Sequence, residues 1–400
     1  MPHRGSRRLG TVGNDASSYR RGRIVSESID GQPQQRTARI VLFGATGYTG
    51  RLTAKSLVAR GLRPVLAGRN ARSLTDLANE LGGLDTAVAD VADPASVRAL
   101  VDRGDVLLTT VGPFHRWGEP AAEAAIFAGA HYIDSTGEPA FVRRIFSEWD
   151  SPARAAGTTM LTAFGYDYVP GHLAAATALE KAGPDATSVV IGYFTRGGTS
   201  ISRGTLTSAA QAALEPGFAW RDARLRDEAV ARELLHHPID GKPTRTSLSM
   251  AGSEHFALPR TYPNLRDVRV GLGATGSATP AVWAANRVGS QLLRVPGVRG
   301  VARKAIVATL HGSGGGPSDD ENATSGCFVT AHAYAADGTE LARVTLTGPS
   351  VYGFTADALA WGAERLVAGD VTKTGALGPV EAFGLAGLTE GCASIGLRVD

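Results

Sequence analysis

Three glycines separate an apolar run from a helical one near the start of this chain. Gly44-Ala45-Thr46-Gly47-Tyr48-Thr49-Gly50 follows Ala38–Phe43 and precedes Leu52, Ala54, Leu57 and Val58 at helical spacing. Glycine is frequent here, at 50 residues, so the pattern alone says little. Its place at a strand-to-helix turn gives it meaning. Gly44 allows a tight turn off the strand, Gly47 leaves room for a pyrophosphate against the backbone, and Gly50 lets the helix pack close to the strand. The helix start offers unpaired N–H groups and the positive end of its dipole to phosphate. The spacing therefore predicts a dinucleotide site that includes Ala45, Thr46, Tyr48 and Thr49.

The second strand should choose the cofactor. An NAD site places an acid about 20 residues after the glycines, to hold the ribose 2′-hydroxyl. This chain reads Ala67-Gly68-Arg69-Asn70 there, with no acid. A guanidinium at Arg69 forks onto a 2′-phosphate, so NADP(H) is the expected cofactor. Asp90 ends the third strand, beside the expected adenine. Val111-Gly112-Pro113-Phe114 ends the fourth and should run beside the ribose and nicotinamide, since ligands lie outside the carboxyl ends of such strands.

Reduction of C=C or C=N also needs a proton. Tyr166 and Asp167, after the sixth strand, lead the catalytic candidates, with helix capping as the alternative for Asp167. Asp134 and Glu138 flank the end of the fifth strand. They are candidate substrate contacts, loop supports or, for Glu138, a cap on the next helix. Ser202, Arg203, Gly204 and Thr205 form a helix start suited to a carboxylate or phosphate. His115, His131 and His172 are read as falling near the same end of the sheet, but none has a partner at metal spacing, and His236-His237 reads as a surface pair. No metal site is expected.

These residues need a framework. Short apolar runs at 38–43, 64–67, 86–89, 106–111, 131–134 and 158–164 alternate with helical stretches at 47–60, 74–81, 94–101, 120–128 and 140–156. Such alternation means βαβ units on a parallel sheet covered on both faces. Beyond Gly171 the pattern changes. Helices are expected at 173–181, 203–213 and 355–367, and two more within 278–310. Strands are expected at 188–195 and at 328–335 and 340–347, around the hairpin signal Asp337-Gly338. Residues 215–265 resist placement. The fold class is α/β: an N-terminal Rossmann domain, then an α+β domain with a mostly antiparallel sheet. The expected divisions are a disordered tail at 1–36, the Rossmann domain at 37–171, the substrate domain at 172–352, and a segment at 353–400 that packs back on the first domain.

Composition excludes several classes. A net charge of +3 spread over 400 residues carries no nucleic-acid signature. No apolar run is long enough to span a membrane. Residues 278–310 interleave apolar and basic residues, which suits two amphipathic helices better than a membrane-surface or acyl site. Two cysteines argue against a disulfide framework and for a reducing, cytoplasmic setting. The antiparallel sheet is a candidate homodimer face.

In this order, Gly44–Gly50, Ala67-Gly68-Arg69, Val111–Phe114, Gly118-Glu119-Pro120, Tyr132–Asp134, Thr136–Glu138, Gly165–Asp167 and Pro170 resemble the saccharopine dehydrogenase-like NADP-binding oxidoreductases. They lie nearest the trans-acting enoyl reductase branch. Ser202–Thr205 with Ser208, and Gly375–Pro379 with Gly384, fit too, although Gly378 stands where the family commonly has threonine. The resemblance implies NADP(H)-dependent hydride transfer to an activated double bond. An enoyl thioester is favoured; an imine or amino acid, as in saccharopine-type enzymes, is the alternative, and a non-catalytic NADP-binding sensor or scaffold a third reading. Short-chain dehydrogenases share the glycine pattern but need Tyr-x-x-x-Lys, and none of the nine tyrosines has lysine four residues on.

Overall fold

The computed structural model describes residues 37–197, 202, 217–239, 241–273, 278–281, 283–284 and 315–400. The expected tail, the helix at 203–213 and most of 278–310 lie outside the described residues.

The first half forms the expected βαβ series. Its strands are β1 (Ile40–Phe43), β2 (Val65–Gly68), β3 (Thr86–Val88), β4 (Val106–Thr109), β5 (His131–Asp134) and β6 (Thr159–Leu161). Between them run α1 (Tyr48–Ala59), α2 (Ala71–Glu80), α3 (Pro94–Arg98), α4 (Phe114–Trp117), α5 (Glu119–Ala128), α6 (Pro139–Arg144) and α7 (Asp150–Ala156). All four residues of β1 and of β4 are buried, as helices on both faces require. Local chemistry sets the helix starts. The Asn70 side chain accepts from Ser73 N, the Asp93 side chain accepts from Ala95 N, and Pro94 occupies a first-turn position. The long helix expected at 140–156 is interrupted by a widened π turn at Ile145–Trp149.

The sheet runs β15 (Gly375–Ala376)-β6-β5-β4-β1-β2-β3, with every pairing parallel. Its seventh strand, β15, comes from the far end of the chain and pairs with β6.

After β6, α8 (Val169–Ala182) leads into a second sheet. Its strands are β7 (Ser188–Arg196), β8 (Gly217–Arg221), β9 (Arg224–Glu228), β10 (Leu234–Ile239), β11 (Lys242–Met250), β12 (Asp267–Leu272), β13 (Gly326–Tyr334), β14 (Glu340–Gly348) and β16 (Arg398–Val399). The helices here are α9 (Glu254–Thr261), α10 (Asp319–Thr324), α11 (Val351–Val367) and α12 (Pro379–Ser394). The sheet is mostly antiparallel, and β13–β14 is the expected hairpin. One pairing differs: β12 runs parallel to β7. The chain between them builds β8–β11 and α9, long enough for a crossover connection.

α8 lies against β7, β13 and β14, and α11 packs on α1, β4 and β5. The α8 contact is close. A Cβ on Gly171 would lie 1.8 Å from the Tyr193 hydroxyl of β7. Gly171→Ala is therefore expected to destabilise the protein by about 1–3 kcal/mol, because overpacking forces backbone or side chain to move. The urea midpoint measures this; an unchanged midpoint would mean α8 does not lie so close to β7.

Candidate functional site

The glycine turn has the geometry its spacing requires. Gly44 has φ +92°, and a Cβ there would meet Thr110 Oγ1 at 2.8 Å. A Cβ on Gly50 would lie 2.2 Å from the Gly44 carbonyl oxygen. α1 thus begins almost in contact with the turn after β1. Its first turn carries no acid, and among the described residues no backbone acceptor takes the N–H groups of Thr46, Tyr48 and Thr49. This open positive end is what a pyrophosphate needs.

Tyr48 does something else. Its ring meets Tyr352 edge-on at 5.1 Å, and its hydroxyl donates to the Pro317 carbonyl and accepts from Asn322 Nδ2. The Tyr352 hydroxyl accepts from Ser202 N at 2.8 Å. One tyrosine pair therefore brings Ser202 to the glycine turn. Arg203, Gly204 and Thr205 lie outside the described residues.

Arg69 follows β2 at the same end of the sheet. It is exposed, with no ion-pair partner among the described residues. Asn70 caps α2 through Ser73 N. The Asp90 carboxylate accepts from Ala92 N and shapes its own turn.

Beyond β4, Val111, Gly112 and Pro113 lie at the surface or partly exposed, and Phe114 is buried. The Gly112–Pro113 peptide is cis, as is Asp167–Tyr168. Glu138 holds the first of these turns. It is buried; Oε1 accepts from Phe114 N, and Oε2 accepts from His115 N and lies 2.6 Å from His115 Nδ1. Its side chain thus caps α4, and no side-chain bond caps the helix that follows it. Asp134, also buried, accepts from Thr136 N, Ala163 N and the Thr162 hydroxyl. These bonds hold Ala163 at φ +55°, a left-handed conformation that costs a residue with a Cβ about 1–2 kcal/mol. Burial pushes the Asp134 carboxyl up to about 6 despite those donors. Both carboxylates are thus taken up inside the loops.

Tyr166 and Asp167 follow β6. The Tyr166 hydroxyl is buried and donates to the Phe194 carbonyl; burial pushes it well above the usual phenol range. Asp167 is different. It is partly exposed, has no hydrogen-bond partner among the described residues, and burial around it raises its carboxyl to about 6. Its Oδ2 would lie 3.1 Å from a Cβ on Gly137, so it faces the loop after β5. It does not cap α8, whose N-cap is Tyr168 without a side-chain bond.

The histidines need correction. His131 begins β5, at the opposite end of the sheet, where its Nδ1 accepts from Thr159 N. His237 is buried, with Nε2 on the Ser247 hydroxyl, so only His236 of that pair is exposed. Among the described residues no cluster could hold a metal, and no helix is long and apolar enough to cross a membrane.

Known proteins bear on this geometry. Residues 44–215 match a family model described as NAD(P)H-binding. A trans-acting enoyl reductase of Mycobacterium ulcerans is 37% identical over 159 residues, 38% of each chain. A putative trans-acting enoyl reductase of Mycobacterium tuberculosis is 35% identical over 181 residues, 42% of each. The matches thus span about two fifths of these relatives' length. Apo saccharopine dehydrogenase (L-Glu forming) from Saccharomyces cerevisiae superposes with a TM-score of 0.56 at 14% identity, covering 91% of this chain and 99% of that one. The chain has the saccharopine dehydrogenase fold. Its resemblance to the saccharopine dehydrogenase-like proteins, on the trans-acting enoyl reductase side, is borne out, and the expected nicotinamide dinucleotide domain is present.

Sequence reasoning missed a buried group behind Asp167: Tyr168, Tyr193 and Glu254. The Tyr193 hydroxyl sits 2.6 Å from Glu254 Oε1 and 3.0 Å from the Tyr168 carbonyl. No local motif marks Glu254, which lies far along the chain from Asp167.

Glu138→Ala should cost about 1–3 kcal/mol, because it strands the buried Phe114 N–H. Urea denaturation measures the loss; no change would show that the turn after β4 does not depend on this carboxylate.

Proposed function

We propose that the protein is an NADP(H)-dependent oxidoreductase that reduces an activated double bond, with the C=C of an enoyl thioester ahead of the C=N of an imine. The observation that carries this is the pairing of an open glycine turn with an exposed Arg69, without an ion-pair partner among the described residues, where an NAD site has an acid. Gly44, Gly47 and Gly50 would admit the pyrophosphate, and Arg69 would fork onto the 2′-phosphate. Asp90 would flank the adenine, and Val111–Phe114 the ribose and nicotinamide. When bound, the nicotinamide supplies a hydride.

The chain's own residues must then orient the acceptor and hold a proton. Asp167 fits the second task. It is reachable, unbonded among the described residues, and shifted toward neutrality. Tyr166 stands behind it, its proton engaged by Phe194. Asp134 and Glu138 would act by fixing the loops that surround the acceptor. Ser202, tied to the glycine turn through Tyr352, would with Arg203–Thr205 offer a contact for an acyl group or carboxylate. The enoyl reading is preferred because the relatives carry that name. The reaction is assigned to the cytoplasm, where the free, buried Cys327 and Cys392 would stay reduced.

Titration with NADPH and NADH, followed by ligand fluorescence, tests the reading. NADPH should bind more tightly. Arg69→Ala should weaken NADPH roughly ten- to hundred-fold, the worth of a charged hydrogen bond, and leave NADH nearly unchanged. Equal affinities in the wild type would contradict the cofactor assignment.

A further inference from the structure

A phenol carries one proton, yet the Tyr193 hydroxyl faces two oxygens, Glu254 Oε1 at 2.6 Å and the Tyr168 carbonyl at 3.0 Å. If Glu254 were ionised, Tyr193 could satisfy only one of them. If Glu254 carries a proton, it donates to Tyr193, Tyr193 donates to Tyr168, and both contacts are hydrogen bonds. The second carboxyl oxygen agrees. Glu254 Oε2 is buried with no hydrogen-bond partner among the described residues, which is far worse for an anion than for the carbonyl of a neutral acid.

The surroundings offer no counter-charge. Glu254 has no exposed surface, and among the described residues no cation pairs with it. Gly171 and Gly252 line it; a Cβ on either would come within 2.6 Å of a carboxyl oxygen. Asp167 and Tyr168 face it from the loop after β6, and Tyr193 faces it from β7. His172 on α8 is held neutral by burial, pushed down to about 3, and its Nε2 lies on the Ser253 hydroxyl. His255 on α9 is pushed down to about 4 by burial; Arg221 on β8 lowers it further and Glu228 on β9 opposes this. Burial raises Glu254 itself to about 8, against the lowering effect of the Tyr193 contact and of its own backbone N–H, and the Asp167 charge adds a smaller push upward.

We propose that Glu254 is a positioning residue for Asp167: as a neutral acid it donates to Tyr193, which grips the Tyr168 carbonyl and so fixes the neighbouring Asp167 carboxyl at the cofactor end of the first sheet. This rests on the reading of Asp167 as the proton donor. Loss of the Glu254 proton turns the Tyr193 hydrogen toward Glu254. The Tyr168 carbonyl is then released, and a second negative charge stands behind Asp167. The fold carries an alkaline switch on the loop that holds Asp167.

Infrared difference spectra of the full chain, taken against pH, test this without cofactor or substrate, so the result stands apart from the identity of the reaction. The wild type should show a carboxylic-acid carbonyl band at pH 7 that fades with a midpoint near 8. Glu254→Gln should lack it and Asp167→Asn keep it. The Asp167 band, fading near pH 6 in the wild type, should keep its midpoint in Glu254→Gln, whose amide can still donate to Tyr193. In Tyr193→Phe that midpoint should shift. Stability gives a second readout. The folded pKa of Glu254 lies above the unfolded value of about 4.3, so stability falls as pH rises from there to about 8. The Tm advantage of Glu254→Gln over the wild type should therefore grow across that window and then level off. A wild type with no acid band at pH 7 that Glu254→Gln removes, or an Asp167 midpoint blind to Tyr193→Phe, would overturn the proposal.

Discussion

The contact between Gly50 and the carbonyl of Gly44 governs the first half of the molecule. With 2.2 Å between that oxygen and any Cβ on Gly50, the helix can sit there only because residue 50 has no side chain. This contact brings α1 down onto the end of β1 and opens its first N–H groups at the carboxyl edge of the sheet. The turns after β2, β4, β5 and β6 come to the same edge, because every strand of the sheet runs parallel. Arg69, the Gly112–Phe114 turn, the Thr136–Glu138 loop and Asp167 meet there as a consequence of topology.

Two buried carboxylates hold that edge in shape. Asp134 fixes the backbone after β6, and Glu138 fixes the backbone after β4. Each satisfies amide protons that would otherwise be stranded, which is a large part of what keeps irregular loops ordered in a dry interior. Asp167 has no such engagement among the described residues. The contrast between bonded and unbonded carboxyls, more than their spacing, separates the groups that build the site from the one that can act in it.

The first sheet was legible because its strands are short, mostly apolar and separated by helices of regular period. The glycine turn was legible because glycine is dictated there by contact. Other parts were silent for physical reasons. α4 is a single turn, Phe114–Trp117, too short to show a period. β9, Arg224–Glu228, is polar and mostly exposed, so its sequence resembles a loop. β15 has two residues and is a strand only because β6 pairs with it. The parallel pairing of β12 with β7 depends on a long crossover that no local pattern encodes. Glu254 meets Asp167 only through tertiary packing, and its importance lies in a hydrogen-bond count that needs coordinates.

Hydrogen–deuterium exchange with and without saturating NADPH tests the central claim, that the cofactor lies across the carboxyl edge of the first sheet in front of Asp167. Protection is expected in the amides of Ala45–Thr49, of Phe114 and His115, and of Gly165–Tyr168, with the β8–β9 hairpin unchanged. Saturating NADPH that leaves the glycine turn and the Gly165–Tyr168 loop unprotected would contradict the account.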